Sequence, residues 1–234
     1  MDEGQIKGLT GLAERRCMAV ARPQPGTTED SEHTPEALLP YLAGLVASDG
    51  NMQSREVRIA TSVMPFLHIV HNLVEALGYN PRINEVEGAS IIRIYSTSLR
   101  KTLTNKYKIP VGKKAGKIIF PSWLDNAAKN HYISGYFDGD GSVSVIRSGK
   151  KGQWGPYQTI RTTFTSKSAA FLQGLREYLV SLGFTPTSLK AEVEVYRLKM
   201  YSRKNLELFA RSFRIRHPVK IAKIGSVLGG EFVP

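Results

Sequence analysis

Apolar and polar residues alternate with period two over Glu56-Val57-Arg58-Ile59-Ala60-Thr61 and Ile92-Arg93-Ile94-Tyr95. The alternation returns over Ile160-Arg161-Thr162-Thr163-Phe164-Thr165 and Tyr196-Arg197-Leu198-Lys199-Met200-Tyr201. This pattern predicts half-buried strands, each with one face on a core. Between the members of each pair the period becomes helical: Phe66 to Leu77 and Ala169 to Leu182 are amphipathic and stop at Gly78 and Gly183, residues suited to a left-handed cap. Another helix is predicted to start after Thr34 as N-cap, with Pro35 in its first turn and Glu36 at the positive end of its dipole; Pro40 is expected to kink or restart it.

The elements come in two sets because the chain repeats itself. Leu42-Ala43-Gly44-Leu45-Val46-Ala47-Ser48-Asp49-Gly50 is answered by Ile133-Ser134-Gly135-Tyr136-Phe137-Asp138-Gly139-Asp140-Gly141 at an offset of 91. Thr61-Ser62 and Ala76-Leu77-Gly78-Tyr79-Asn80-Pro81 recur as Thr165-Ser166 and Ser181-Leu182-Gly183-Phe184-Thr185-Pro186 at offsets of 104 to 105, and Ile94-Tyr95-Ser96 recurs as Met200-Tyr201-Ser202 at 106. Self-similarity of this kind marks a duplicated unit. The jump in offset predicts an insertion in the second copy at Ser148 to Pro156, a basic, glycine-rich hairpin loop holding Lys151 and Trp154. The predicted fold is α+β: two pseudo-symmetric αββαββα repeats, each with a four-stranded antiparallel sheet. The expected divisions are an N-terminal extension at 1–33, a first repeat with its linker at 34–120 and a second repeat at 121–234. Lys108 to Pro121 reads as a basic connection.

Composition makes this a folded chain. Of 234 residues 41% are hydrophobic and 22% charged, which excludes a disordered or collagen-like polymer. The one cysteine, Cys17, excludes an intramolecular disulfide or a cysteine-built zinc site and favours a reducing compartment. With no apolar run of about 18 residues and no secretory pattern after Met1-Asp2-Glu3, the expected location is intracellular, cytoplasmic or nucleoid-associated, with no membrane partner. The net charge is +12; residues 1–33 carry four basic and six acidic side chains, so the repeats alone carry +14. A field of that sign favours a polyanion, although many basic proteins are merely soluble.

Chemistry enters at the repeated motif. Each copy ends an apolar helix with aspartate and then glycine, Asp49-Gly50 and Asp140-Gly141, the glycines being expected to take the left-handed conformation that ends a helix. Aspartate opposes the negative end of the helix dipole, so its presence in both copies calls for a compensating positive charge, which a divalent cation can supply. Gly44 and Ser48, and Gly135 and Gly139, lie four apart, a spacing that lets two helix backbones approach closely and would bring both aspartates together. Two adjacent carboxylates ionise together only with a cation between them. Mg²⁺, with Mn²⁺ as a substitute, is the hard ion that prefers such oxygen ligands. A metal so held lowers the pKa of bound water and stabilises the attacking and leaving oxygens of a phosphodiester.

At Leu42-Ala43-Gly44-Leu45 with Asp49-Gly50, and at Gly135 with Asp138-Gly139-Asp140-Gly141, the chain resembles the LAGLIDADG homing endonucleases over residues 35 to 234. The resemblance implies a single-chain pseudo-dimer, with motif helices at the interface and two sheets forming a saddle in the DNA major groove. It also implies that Asp49 and Asp140 bind divalent metal, with help from the carbonyls of Ser48 and Gly139. The strands would be cut across the minor groove to leave short 3′ overhangs at a long asymmetric duplex. Ala47 departs from the motif, where the second copy keeps Asp138. The family often sets a glutamine or lysine beside the metals, which makes Lys167 a candidate; Lys220 and Lys223 compete with it, and a solvated surface lysine is the alternative for each.

Arg58, Arg93, Arg161, Arg197 and Lys199 alternate with apolar residues and so lie opposite the core face, where they and Lys151 are candidates for contacting DNA; solvated strand charges are the alternative. Gly112-Lys113-Lys114 lacks the flanking residues of a P-loop, and Asp138 to Ser142 lacks the glycine of a calcium loop. His68 and His71 have no third ligand in view, and Tyr95 and Tyr201 are expected to be structural, with stacking on nucleic acid as the alternative. The leading expectation is a monomeric, metal-dependent, site-specific endonuclease acting on double-stranded DNA. The rivals are a maturase acting on intron RNA and a non-cleaving nucleic-acid-binding protein of the same fold.

Overall fold

The computed structural model describes residues 34–86, 88–147, 158–187 and 189–229. The predicted N-terminal extension and the hairpin loop with Lys151 lie outside them. The first half runs α1 (Pro35–Ser48), β1 (Gly50–Met52), β2 (Val57–Thr61), α2 (Met64–Ala76), β3 (Pro81–Val86), β4 (Ala89–Ile94) and α3 (Thr97–Asn105). The second repeats this as α4 (Asn126–Asp140), β5 (Gly141–Arg147), β6 (Gln158–Ser166), α5 (Ala169–Ser181), β7 (Lys190–Glu192), β8 (Val195–Tyr201) and α6 (Arg203–Ser212), and then adds α7 (Pro218–Leu228). Each half carries a four-stranded antiparallel sheet, ordered β1-β2-β4-β3 and β5-β6-β8-β7. No helix among the described residues is long and apolar enough to cross a membrane.

The period-two pattern decides which face of each strand is buried. In the first sheet Val57, Ile59, Ile92 and Ile94 pack with Leu67, Val70 and Val74 of α2; in the second, Phe164, Leu198 and Met200 pack with Leu172, Leu175 and Leu179 of α5. Gly78 (φ +80°) and Gly183 (φ +88°) take the left-handed conformation after α2 and α5, as expected of helix-stopping glycines.

Helices α1 and α4 pack along one another between the two sheets and are buried from Leu42 to Ser48 and from Tyr132 to Asp138. The small residues make this approach possible. A methyl group on Gly44 would fall on the Tyr132 carbonyl, one on Gly135 on the Tyr41 carbonyl, and one on Gly139 on the Ser48 hydroxyl.

Two expectations are corrected here. Helix α1 runs unbroken through Pro40, because the N–H that proline lacks would have bonded to the carbonyl of Glu36, an exposed residue of the first turn, where water can replace it. Gly50 and Gly141 are not left-handed: each begins a strand, and Gly141 is extended at φ −86°, ψ 156°. They are needed for space, since a Cβ on Gly50 would lie 2.5 Å from the Val46 Cα, and one on Gly141 would strike the Phe137 ring.

Candidate active site

The close packing of α1 on α4 sets their C-terminal ends side by side, and Asp49 and Asp140 meet there closely enough to share a hydrogen bond. Burial raises the pKa of Asp49, while Lys220 and Lys114 pull it down. Burial and the neighbouring Asp49 push that of Asp140 up to about 6. Two buried carboxyls that both resist ionisation make a site that favours one added positive charge. The donors at hand are all oxygens, these carboxyls and the carbonyls of Ser48 and Gly139, and that set fits a hard divalent cation.

Part of the compensating charge is already built into the chain. Lys220 Nζ donates to the carbonyls of Phe137, Asp138 and Gly139, at 2.6, 2.7 and 2.9 Å. Lys114 Nζ does the same on α1, donating to Val46 at 2.6 Å, to Ala47 at 3.0 Å and to Ser48. Each lysine thus donates to three carbonyls of the last helical turn, of which Phe137 also accepts the Gly141 N–H, and sits at the negative end of a helix dipole. Burial draws both down to about 8, against the pull of the nearby aspartates. A carbonyl oxygen has two lone pairs, so Ser48 and Gly139 keep one each for a further cation.

Lys114 escapes the pattern reading because it lies in an irregular segment, where Gly112 (φ +79°) and Gly116 (φ +75°) forbid the helix that Lys220 occupies. The signal was there in the spacing: Lys114 and Lys220 stand 106 apart, the offset of the last repeated landmark.

Two cavities flank the helix ends. The larger, about 550 Å³, is lined by Asp49, Thr61, Ser62, Asp138, His217 and Lys220 among others; the smaller, about 230 Å³, by Ser48, Lys114, Tyr136, Asp140, Ser166 and Lys167. Each therefore joins the aspartate of one motif helix to the lysine that caps the other. Lys167 is exposed, 3.6 Å from Glu194, and lines the smaller cavity and not the larger; Val63 stands at the corresponding place in the first copy. Lys223 is exposed and lines neither cavity. Asp138 ties the helix pair together instead, since its Oδ2 accepts from Tyr41 Oη across that pair at 2.5 Å and from the Arg216 N–H at 2.7 Å. His71 Nδ1 lies 3.3 Å from Glu75.

The sheet candidates lie away from the core, and each has a polar partner. Arg58 and Arg93 gather on Glu56, Arg197 and Lys199 on Glu192, and Arg161 Nε donates to Ser144 Oγ at 3.2 Å. Arg161, Arg197 and Lys199 line a polar groove of about 210 Å³ with Ser142, Thr163 and Thr165. Sequence reasoning passes over Arg82, which stands directly opposite Arg93 and lies 5.9 Å over the ring of Tyr95. Tyr95 and Tyr201 are 55% and 37% exposed, so both rings are accessible from outside the chain.

Comparison with known proteins follows the same lines. The model of the LAGLIDADG-like domain matches residues 36–107 and 127–214. A reverse gyrase of Methanocaldococcus jannaschii is 32% identical over 189 residues, 81% of this chain but 11% of that protein. The homing endonuclease I-ApeI of Aeropyrum pernix is 28% identical over 169 residues, 69% of this chain and 72% of that one. Among solved structures, mesophilic variants of the homing endonuclease I-DmoI share 17% identity at a TM-score of 0.57, covering 80% of this chain and 97% of theirs. I-DmoI in complex with DNA and Mn shares 16% at 0.55, covering 76% and 96%. The LAGLIDADG meganuclease I-AabMI bound to uncleaved DNA shares 13% at 0.58, covering 82% and 90%. At these identities the structural likeness speaks for the fold.

Proposed function

The chain belongs to the LAGLIDADG-like family, and on that premise we propose that it is a site-specific endonuclease that hydrolyses both strands of a long asymmetric DNA duplex and leaves short 3′ overhangs. The observation that carries this reading is the pair of carboxyls, Asp49 and Asp140, side by side at the ends of two packed helices, each on a cavity that also holds a partly buried lysine. When bound, a divalent cation, Mg²⁺ or Mn²⁺, would lower the pKa of its water and stabilise the oxygens of the scissile bond.

The chain's own groups do the rest. Asp49 and Asp140, with the Ser48 and Gly139 carbonyls, would hold the cation. Lys114 and Lys220 offset the negative helix ends, which would otherwise repel two phosphates arriving at that point. The rigid helix pair fixes both cavities at one separation, so both scissile phosphates are addressed without hinge motion. Double-stranded DNA lies along the two sheets, with Arg58, Arg93, Arg161, Arg197 and Lys199 on the contacting face, and one chain supplies both halves of the site.

The test is to incubate the purified chain with a plasmid library of candidate insertion sites in Mg²⁺, in Ca²⁺ and in chelator. Defined double-strand breaks with 3′ overhangs in Mg²⁺, and binding without cleavage in Ca²⁺, are expected. Sequence-specific binding without cleavage in any divalent ion would replace the endonuclease with a non-cleaving binder, and selective capture of structured intron RNA would replace it with a maturase.

A further inference from the structure

We infer that Glu56 and Glu192 are positioning residues that set base preference, one for each sheet, by holding the basic side chains of the DNA-contacting face on base edges and away from phosphates. The inference rests on the DNA-binding reading above and gives a role to two acids which that reading leaves unused.

Register makes the case in the first sheet. Across three neighbouring strands Arg58 stands directly opposite Arg93, and Arg82 opposite Arg93 from the other side. Like charges directly opposite one another destabilise a sheet, so a bare row of three guanidinium groups calls for an acid. Glu56 precedes Arg58 by two residues and so shares its face of the strand. It is 7% exposed, an unusual burial for a glutamate on a face otherwise open to solvent.

Its Oε1 accepts from both Arg58 Nε, at 2.6 Å, and Arg58 Nη2, while its Oε2 lies 3.8 Å from Arg93 Nη1. Gln53 Oε1 accepts from Arg58 Nη2 as well, at 3.3 Å. One edge of the Arg58 guanidinium is thereby fixed, and Nη1 remains for an acceptor outside the chain. The cluster is incomplete: Glu56 Oε2 and Arg93 Nε are buried with no hydrogen-bond partner. A buried polar atom without a partner calls for one, and on this open face an acceptor or donor from outside the chain can supply it.

The second sheet uses the same device with other residues. Glu192 pairs through Oε2 with Arg197 Nη1 and through Oε1 with Lys199 Nζ at 2.9 Å. Both cations line the polar groove between β6 and β8, and Lys190 stands directly opposite Arg197.

A carboxylate inside each basic row has two effects on a duplex laid across it. It repels phosphate oxygens, so the row gains little from backbone contact alone. It also restricts the guanidinium groups to few orientations, so they bind acceptors presented at fixed places. Guanine, with O6 and N7 both acceptors in the major groove, is the base such a row selects.

The experiment is selection of bound sequences from a randomised duplex library in Ca²⁺, with parallel titration of one random-sequence duplex across a salt series. The variants are Glu56→Gln, Glu56→Asp and Glu192→Gln, each checked by thermal melting. Glu56→Gln is expected to lose guanine preference in one half of the selected consensus only, and Glu192→Gln in the other half only. Each should bind the random duplex about three- to tenfold more tightly at low salt, with a log–log salt slope steeper by about 0.9, the value for one added phosphate contact. Glu56→Asp keeps the charge but is one methylene too short to hold Arg58, so it should relax preference without tightening random binding. Should Glu56→Gln fail to fold, the more exposed Glu192 carries the same test in its own half. Variants that select the parental consensus with parental salt slopes overturn the inference and leave the endonuclease reading intact. A parent chain that enriches no sequence overturns both.

Discussion

An aspartate in the last turn of a helix opposes the dipole, and in this chain two of them also oppose each other. Asp49 and Asp140 tolerate that because two lysines, Lys114 and Lys220, offset part of the charge, although burial still raises the pKa of both carboxyls. Replacing either acid by asparagine is expected to slow cleavage of both strands by more than about a hundredfold, the scale of losing a main transition-state charge stabiliser, while duplex binding in Ca²⁺ persists. Cleavage of one strand at the parental rate would mean two independent centres. Stability supplies a second readout. The carboxyl of Asp140 is raised from 3.8 to about 6 in the folded chain. A group raised on folding stabilises fully below its unfolded pKa and loses that contribution as pH rises through the folded one. Without metal, Asp140→Asn should therefore melt a few degrees higher than the parent at pH 7, and the gap should close near pH 4, as calorimetry would show. Lys114→Met and Lys220→Met each strip the donor from three helix carbonyls. The lost hydrogen bonds cost about 1–3 kcal/mol, and at pH 7 this is offset by no longer burying an ammonium whose pKa the fold draws down to about 8, so denaturant melting should change little while cleavage is lost.

Two helices this close depend on what they lack. Because a methyl on Gly44 would meet the Tyr132 carbonyl, and one on Gly135 the Tyr41 carbonyl, neither strain can be relieved by a side-chain rotation; the backbones must part. Gly44→Ala or Gly135→Ala is expected to destabilise by about 3 kcal/mol or more, at or beyond the upper end for overpacked cores, and to abolish cleavage by spreading Asp49 from Asp140. Far-ultraviolet circular dichroism should keep its helix and strand signal, which separates a parted interface from a failed fold. This level was the most legible in sequence, since small residues four apart and period-two strands are local signals that packing reinforces. Pro40 reads as a break, yet its missing N–H falls where water can serve the freed carbonyl. Gly50 and Gly141 read as turn formers, yet neighbouring side chains and backbone, not φ, require them. Lys114 left no periodic trace because its segment is irregular, and Glu56 was invisible because an acid on a strand reads as an exposed charge until the cross-strand register gathers arginines around it.

At the scale of the whole molecule the two halves are alike in path and unlike in chemistry, and the difference should appear as an order of strand cleavage. The cavity at Asp49 is the larger, lined by His217, whose imidazole burial draws down to about 4, so it adds no positive charge near neutral pH. The cavity at Asp140 is less than half that volume and brings Lys114 together with Lys167. A phosphate entering it meets two lysine side chains, while one entering at Asp49 meets, among the described residues, Lys220 alone of the lysines. Since one chain supplies both cavities, no second copy can equalise them; sedimentation of the complex should give one chain per duplex. On a supercoiled plasmid with a single target, the strand at Asp140 is expected to be cut first, leaving a transient nicked circle. Lys167→Met should slow that strand about tenfold and leave the other nearly unchanged, in contrast to the aspartate variants, which slow both. The exposed pairing of Lys167 with Glu194 contributes little to stability, so the variant should melt with the parent. End-labelled duplexes read by denaturing gel separate the two rates. If Lys167→Met leaves their ratio at the parental value, Lys167 is a surface lysine, and any order of cleavage must come from the unequal cavity shapes or from the way each sheet holds its half of the duplex.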